Sequence, residues 1–187
     1  MKTRIFSAVA AAATSMFVIG GSALAVPTTY NGITFPEGDI SFADQLVDLT
    51  FGDPAPTDTR FLDGNQALGA PDYSDVTGIG SVSLGRGGSI TVRFTDNALT
   101  GSGDNTADLH IFEIGPDIED TFVSISTDGN SFIVVGAVTG SSSSIDIDFF
   151  LDSLNIDVMT QFFFVRLMDD PNEGGTSGST VGADIDA

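Results

Sequence analysis

The chain has 187 residues, with 26 Asp plus Glu against 6 Lys plus Arg, one His and no Cys, for a formal net charge of −20. Such a surface repels phosphate backbones and anionic headgroups, because nucleic-acid binding needs Lys and Arg to displace condensed counterions, so no nucleic-acid partner is expected. Zero Cys removes disulfides, thiolate zinc sites and cysteine nucleophiles together, and a single His removes multi-His metal centres.

Residues 1–25 read as a secretory signal peptide. A basic start, Met1-Lys2-Thr3-Arg4, precedes an apolar run from Ile5 to Gly20, and Ala23-Leu24-Ala25 offers a small-residue cleavage site before Val26-Pro27. Ser7, Thr14 and Ser15 break the run, which is short for a span of about 20 apolar residues. Cleavage leaves residues 26–187 as a single domain carrying four Arg and no Lys against the 26 acids, a charge of −22. The best later apolar stretch, 161–168, is too short to cross a bilayer. The expected location is secreted or at the cell surface.

Short alternating or β-branched runs follow in order at 32–35, 46–51, 81–84, 89–95, 107–114, 121–127, 131–138, 144–150, 161–168 and 181–186. Ten short strands joined by Gly/Asp/Ser-rich connections predict an all-β fold, an antiparallel sandwich or barrel. Helix is limited to a turn near 42–47 or 151–158. Asp128-Gly129, flanked by alternating apolar positions, predicts a tight hairpin with positive φ at both residues. Ile90, Val92 and Phe94 should share one face, opposite Thr91, Arg93 and Thr95. Phe162-Phe163-Phe164-Val165 is apolar on both faces and predicts a central, covered strand. Gly85-Arg86-Gly87-Gly88 leads into a strand and reads as a tight turn, not a phosphate cradle. The arginines need partners in so acidic a chain: an ion pair or carbonyls for Arg166, neighbouring carboxylates for Arg93 and Arg86.

The acid is lopsided: Glu stands at positions 37, 113, 119 and 173, and the other 22 acids are Asp, a residue suited to turns. Oxygen-rich loops occur at Asp63-Gly64-Asn65, at Asp72-Tyr73-Ser74-Asp75, in the 96–105 segment and at Asp184-Ile185-Asp186, and calcium is the cation such loops suit. Asp184 and Asp186, two apart on a strand, point to the same face. The 96–105 loop, with Asp96, Asn97, Asp104 and Asn105, is the candidate ligand-binding segment, since loops at the end of a sandwich carry binding sites. Trp is absent and only Tyr30 and Tyr73 are phenolic, which counts against a carbohydrate platform. Catalysis finds little support. A Ser-His-Asp triad would have to use His110, no G-x-S-x-G elbow exists, and carboxylate pairs are uninformative in so acidic a chain.

Two resemblances join these readings. The unit Val123-Ser124-Ile125-Ser126-Thr127-Asp128-Gly129-Asn130-Ser131-Phe132, with Phe164-Val165-Arg166-Leu167, resembles the discoidin, or galactose-binding-like, jelly-roll β-sandwich. An ordered set resembles secreted bacterial cell-surface proteins of the PEP-CTERM-associated type: Phe42-Ala43-Asp44, Ala67-Leu68-Gly69-Ala70-Pro71-Asp72-Tyr73, Ser83 to Val92, Phe112-Glu113-Ile114-Gly115 and Gly182-Ala183-Asp184-Ile185-Asp186-Ala187. The sorting tail of that group does not follow Asp186-Ala187, where a last strand would be expected to continue. The first resemblance implies a structural calcium drawn from Asp63 and Asp72, with Asp184 or Asp186 opposite. The expectation is an exported, non-catalytic cell-surface or extracellular-matrix binding module, stabilised by Ca2+, with an extracellular polysaccharide or an envelope component as its partner. The alternative is an extracellular carbohydrate-active hydrolase, or the accessory carbohydrate-binding domain of one.

Overall fold

The computed structural model describes residues 26–115, 119–140 and 142–187; the expected signal peptide lies outside them. Eleven strands follow in order: β1 (Thr28–Tyr30), β2 (Ile33–Phe35), β3 (Gln45–Thr50), β4 (Val82–Ser83), β5 (Ser89–Arg93), β6 (Leu109–Phe112), β7 (Asp120–Ser126), β8 (Ile133–Thr139), β9 (Ser142–Ile145), β10 (Phe164–Asp169) and β11 (Asp184–Ile185). A single α-helix, α1 (Asp148–Ser153), separates β9 from β10. The chain is all-β in class. No helix among the described residues is long and apolar enough to cross a membrane.

One antiparallel sheet runs β3-β5-β10-β7-β8. Two shorter pairs, β4 with β11 and β6 with β9, are stitched together by the Glu113–Ile185 bridge. Asp186 N donates to Phe112 O at 2.8 Å, and Ile114 N to Asp184 O at 2.9 Å, across that seam. The result is a second antiparallel layer, β4-β11-β6-β9. Inward residues of both layers meet in one apolar cluster: Ile90, Val92, Val123, Ile125, Val165 and Leu167 from the first, Val82, Leu109, Ile111, Ile145 and Ile185 from the second. Removing each such side chain from water stabilises the fold by roughly 1.5–3 kcal/mol. With no Cys to bridge the layers, this packing holds them together.

The inward rows do not stay apolar to their ends. The row Leu109, Ile111 on β6 is continued by Glu113; Val165, Leu167 on β10 by Asp169; Ile125, Val123 on β7 by Thr121 and then Glu119. Asp169 lies directly opposite Thr121 across the β10–β7 ladder, so these polar groups share one end of the core. Phe164, Ser126 and Arg93 mark the opposite end. Phe112 turns away from the core into a small aromatic cluster with Phe35 and Phe42.

Strand β10 is central in its sheet, as the 161–168 run suggests. Its outer face is only partly covered, with Arg93 stacked over Phe164. Ile90, Val92 and Phe94 are buried together, but Thr91 is buried as well and accepts a hydrogen bond from Arg166 Nε. Among the described residues Arg166 bonds neither a carboxylate nor a carbonyl; it lies 3.8 Å over the Phe132 ring. Arg86 bonds the Pro171 carbonyl, not a carboxylate.

Three local expectations are corrected. The alternating run 144–150 ends as a strand at Ile145, and helix begins at Asp148, because Ile147 and Leu151, four apart, are buried while Phe149 is exposed. In place of a helical turn at 42–47, a 3-10 turn occupies Gly38–Ser41 and β3 begins at Gln45. Only Gly129 of the Asp128-Gly129 pair has positive φ. Asp128 shapes that turn through its side chain, whose Oδ1 accepts from Asn130 N and Ser131 N. Strand β3 carries a one-residue bulge at Val47 in its ladder with β5.

Candidate functional site

The register puts the 96–106 loop at the Phe164 end of the core, where β5 hands over to β6. A cleft of about 590 Å³ opens there. Phe35, Phe42 and Phe94 supply apolar wall, and Asn97, Asp108 and His110 supply polar groups. The Phe35 and Phe42 rings stand 4.8 Å apart, and His110 meets Phe35 edge-on at 5.5 Å. His110 Nδ1 lies 2.7 Å from Ser144 Oγ, which fixes the ring's orientation. Burial lowers the His110 pKa, with Asp108 opposing, so the imidazole is held toward its neutral form. Asn97 Oδ1 is buried without a hydrogen-bond partner.

The four expected ligand-binding residues are divided by this geometry. Asn97 lines the large cleft. Asp104 and Asn105 line a shallower hollow of about 320 Å³ beside Asp146, Asp148 and Phe149. Asp96 is exposed and lines neither. Asp104 Oδ1 accepts from Thr106 N at 2.8 Å, and bonds from Thr106 lower its pKa.

Between cleft and hollow, Asp108, Asp146 and Asp148 bring carboxylate oxygens within 4.8 Å of one another, the one such metal-compatible trio among the described residues. Asp108 Oδ2 accepts from Ile147 N, Asp146 Oδ1 from Asp148 N, and Asp148 Oδ2 from Gly103 N. Gly101 makes room for this packing, since a Cβ there would collide with Asp148 Oδ1. Burial raises the Asp108 pKa, against the bond from Ile147, and Asp148 adds to the rise. Sequence reasoning missed the trio: Asp108 lies 38 positions before Asp146, and only the β6–β9 ladder brings them together.

The four expected calcium ligands are distributed differently. Asp63 is exposed and caps the 3-10 turn Gly64–Ala67, accepting from Asn65 N at 3.0 Å and Asn65 Nδ2 at 2.7 Å. These bonds lower its pKa. Asp72 and Asp186 do meet, through Asp72 N donating to Asp186 Oδ1 at 2.9 Å. Asp186 is buried, and that burial raises its pKa. Asp184 accepts from Ser83 Oγ, its partner across the β4–β11 ladder. Extending the ladder by one more pair sets Ser81 opposite Asp186; Ser81 is fully buried and its Oγ has no partner among the described residues.

A further set of buried acids lies at the other end of the core. Glu113, Glu119, Asp169 and Asp184 are all at least nine-tenths buried. The Glu113 carboxyl is pushed up to about 8 by burial, then by the charges of Glu119, Asp184 and Asp169, against a hydrogen bond from the Asp184 backbone. Asp169 Oδ1 accepts from Ala183 N and Oδ2 from Gly87 N, tying the last strand to the Gly85–Gly88 turn. Its pKa is raised by burial, against those two bonds. A signal for Glu113 existed in the sequence: Leu109, Ile111 and Glu113 stand two apart, which sets an acid on an apolar strand face.

No family model, curated protein or solved structure matches the chain.

Proposed function

We propose that the protein is an exported, non-catalytic surface or matrix module of galactose-binding-like jelly-roll type, which binds an extracellular polysaccharide or an envelope polymer at the 96–110 end. The observation that carries this reading is the cleft of about 590 Å³, in which Phe35, Phe42 and Phe94 stand beside the polar residues Asn97 and Asp108 and the imidazole of His110. Apolar ring faces next to a few convergent hydrogen-bonding groups suit a sugar ring, whose faces are apolar and whose rim is polar. A neutral His110 serves such a ligand as a hydrogen-bonding group. Two antiparallel layers round one core are consistent with the jelly roll, and the leader-like residues 1–25 support export. Asp72, Asp184 and Asp186, with Ser81 beside them, are the residues that would hold the expected structural Ca2+; Asp63 is engaged in its own turn.

The test is retention of the purified protein on a panel of extracellular polysaccharides, with Asn97→Ala and Phe42→Ala as cleft variants. Retention that both variants weaken supports the reading. Release of reducing ends would replace it with the hydrolase alternative, and retention unaffected by either variant would move binding away from the cleft.

A further inference from the structure

We propose a calcium-binding site at the end of the core opposite the cleft, between Glu113 of the second layer and Asp169 and Thr121 of the first. It is separate from the cleft and from the Asp72–Asp186 pair, and it stands whether or not the protein binds a polysaccharide.

The argument starts from unmet bonding capacity. Glu113 is 5% exposed and its Oε1 has no hydrogen-bond partner; Thr121 is 0% exposed and its Oγ1 has none either. Leaving a buried oxygen without a partner forfeits its hydration with nothing in return, and more so for a charged group, so a well-packed core avoids it unless something else meets the oxygen. Both side chains belong to inward rows, one from each layer, and both rows end at the same end of the core. They therefore face a common space between the sheets.

Charge points the same way. Glu119, Asp169 and Asp184 all act on Glu113 as like charges. Among the described residues, Arg60 pairs with Asp58, Arg93 lies over Phe164 and Arg166 over Phe132, while Arg86 offsets Asp169. Carboxylates crowded at low exposure are stable together when a bound cation balances their charge. The donors are all hard oxygens, from carboxylate and hydroxyl, which selects calcium or magnesium over softer metals. Calcium accepts irregular spheres of 6–8 oxygens, whereas magnesium demands near-ideal octahedral geometry and retains several waters, so this crowded, mixed set favours calcium. The four acids do not close as tightly as Asp108, Asp146 and Asp148 do. The site accordingly takes fewer carboxylates, and its sphere is completed by the Thr121 hydroxyl, backbone carbonyls and water.

The surroundings are shaped to keep the acids in place. A Cβ at Gly174 would collide with Glu119 Oε1, so the Gly174-Gly175 turn closes directly on that carboxylate. A Cβ at Gly182 would collide with Gly85 O and press on Asp169 Oδ1.

The purified protein, stripped with a chelator, is titrated with calcium chloride alone by calorimetry and by thermal melting. The expected result is a site, beyond any held by Asp72 and Asp186, that Glu113→Gln weakens at least tenfold, with Thr121→Val weakening it several-fold and Asp148→Asn and Asp186→Asn leaving it within twofold. Glu113→Gln keeps the shape of the side chain and replaces a carboxyl that burial keeps protonated with a neutral amide, so in chelator it should melt no lower than the unsubstituted protein. If it does melt lower, Thr121→Val, which changes no charge, decides. The proposal is overturned if the unsubstituted protein shows neither heat nor a rise in Tm, or if the folded Glu113 and Thr121 variants bind calcium as it does. It is overturned equally if Asp148→Asn or Asp186→Asn weakens binding as much as Glu113→Gln.

Discussion

The two ends of the core use the same chemical group in opposite ways. At the cleft end, Asp104 and Asp128 sit in exposed turns, accept backbone N–H bonds within three residues, and have lowered pKa values. At the far end, Glu113 and Asp169 are buried and their pKa values are raised. The difference is not hydrogen bonding alone, since Asp169 also accepts two backbone N–H groups. Desolvation outweighs those bonds once the carboxylate is inside. An acid in a turn shapes local chain at little cost, whereas an acid at the end of a core row needs a proton or a cation.

The sharpest way to break this comparison is to delete one acid at each end. Asp169→Ala would leave Gly87 N and Ala183 N without their acceptor and is expected to cost about 3 kcal/mol in urea unfolding. The pH dependence comes next. In the native state Glu113 holds its proton up to about 8, whereas the unfolded chain releases it near 4.5. Native protein thus binds more protons across that window, and stability in chelator should fall as pH rises through it, then level off above 8. The expected fall is up to about 5 kcal/mol, the shift from 4.5 to about 8 converted to free energy, and Glu113→Gln should flatten it. The turn acids predict the reverse sign elsewhere: with lowered native pKa values, their contribution is lost only as pH drops below about 4. Asp128→Ala removes the acceptor for Asn130 N and Ser131 N and should lower the urea midpoint in the same unfolding assay, by clearly less than Asp169→Ala does. Asp96→Asn, exposed, should change stability by less than about 0.5 kcal/mol. Equal losses from Asp169→Ala and Asp128→Ala would erase the distinction between the ends.

Much of the fold was legible because strand alternation is local. The inward rows Ile90-Val92 and Val123-Ile125 follow from spacing alone, and so does the turn at Gly85–Gly88, where Gly85 and Gly87 take positive φ. The first hairpin was also legible but went unread. Asn31-Gly32, both at positive φ, joins Tyr30 to Ile33, the residue pair a two-residue turn calls for. The expected helical turn at 151–158 meets only the second half of α1, whose start was hidden because Ile145, Ile147 and Phe149 alternate like a strand, and only tertiary burial of Ile147 and Leu151 decides otherwise. The sites were less legible still. Asp72 and Asp186 meet across 114 positions, and nothing local distinguishes them from the other Asp residues of the chain. Asp63 looked equivalent in sequence and proves to be a turn cap. Glu113 gained its character first from burial and then from the charges of Glu119, Asp184 and Asp169, surroundings that only the packing of two layers supplies.

The bulge at Val47 bears on how copies of the molecule meet. Strand β3 is the last strand of its sheet, and an open edge of that kind can template a foreign strand. The extra residue bends the ladder away from the flat geometry that strand addition requires, and Asp48 follows it immediately. A second copy approaching along this edge meets a kinked backbone, a fixed negative charge and a partner bearing the same surplus of acid. The same bend that breaks the β3–β5 register therefore works against edge-to-edge aggregation at high concentration.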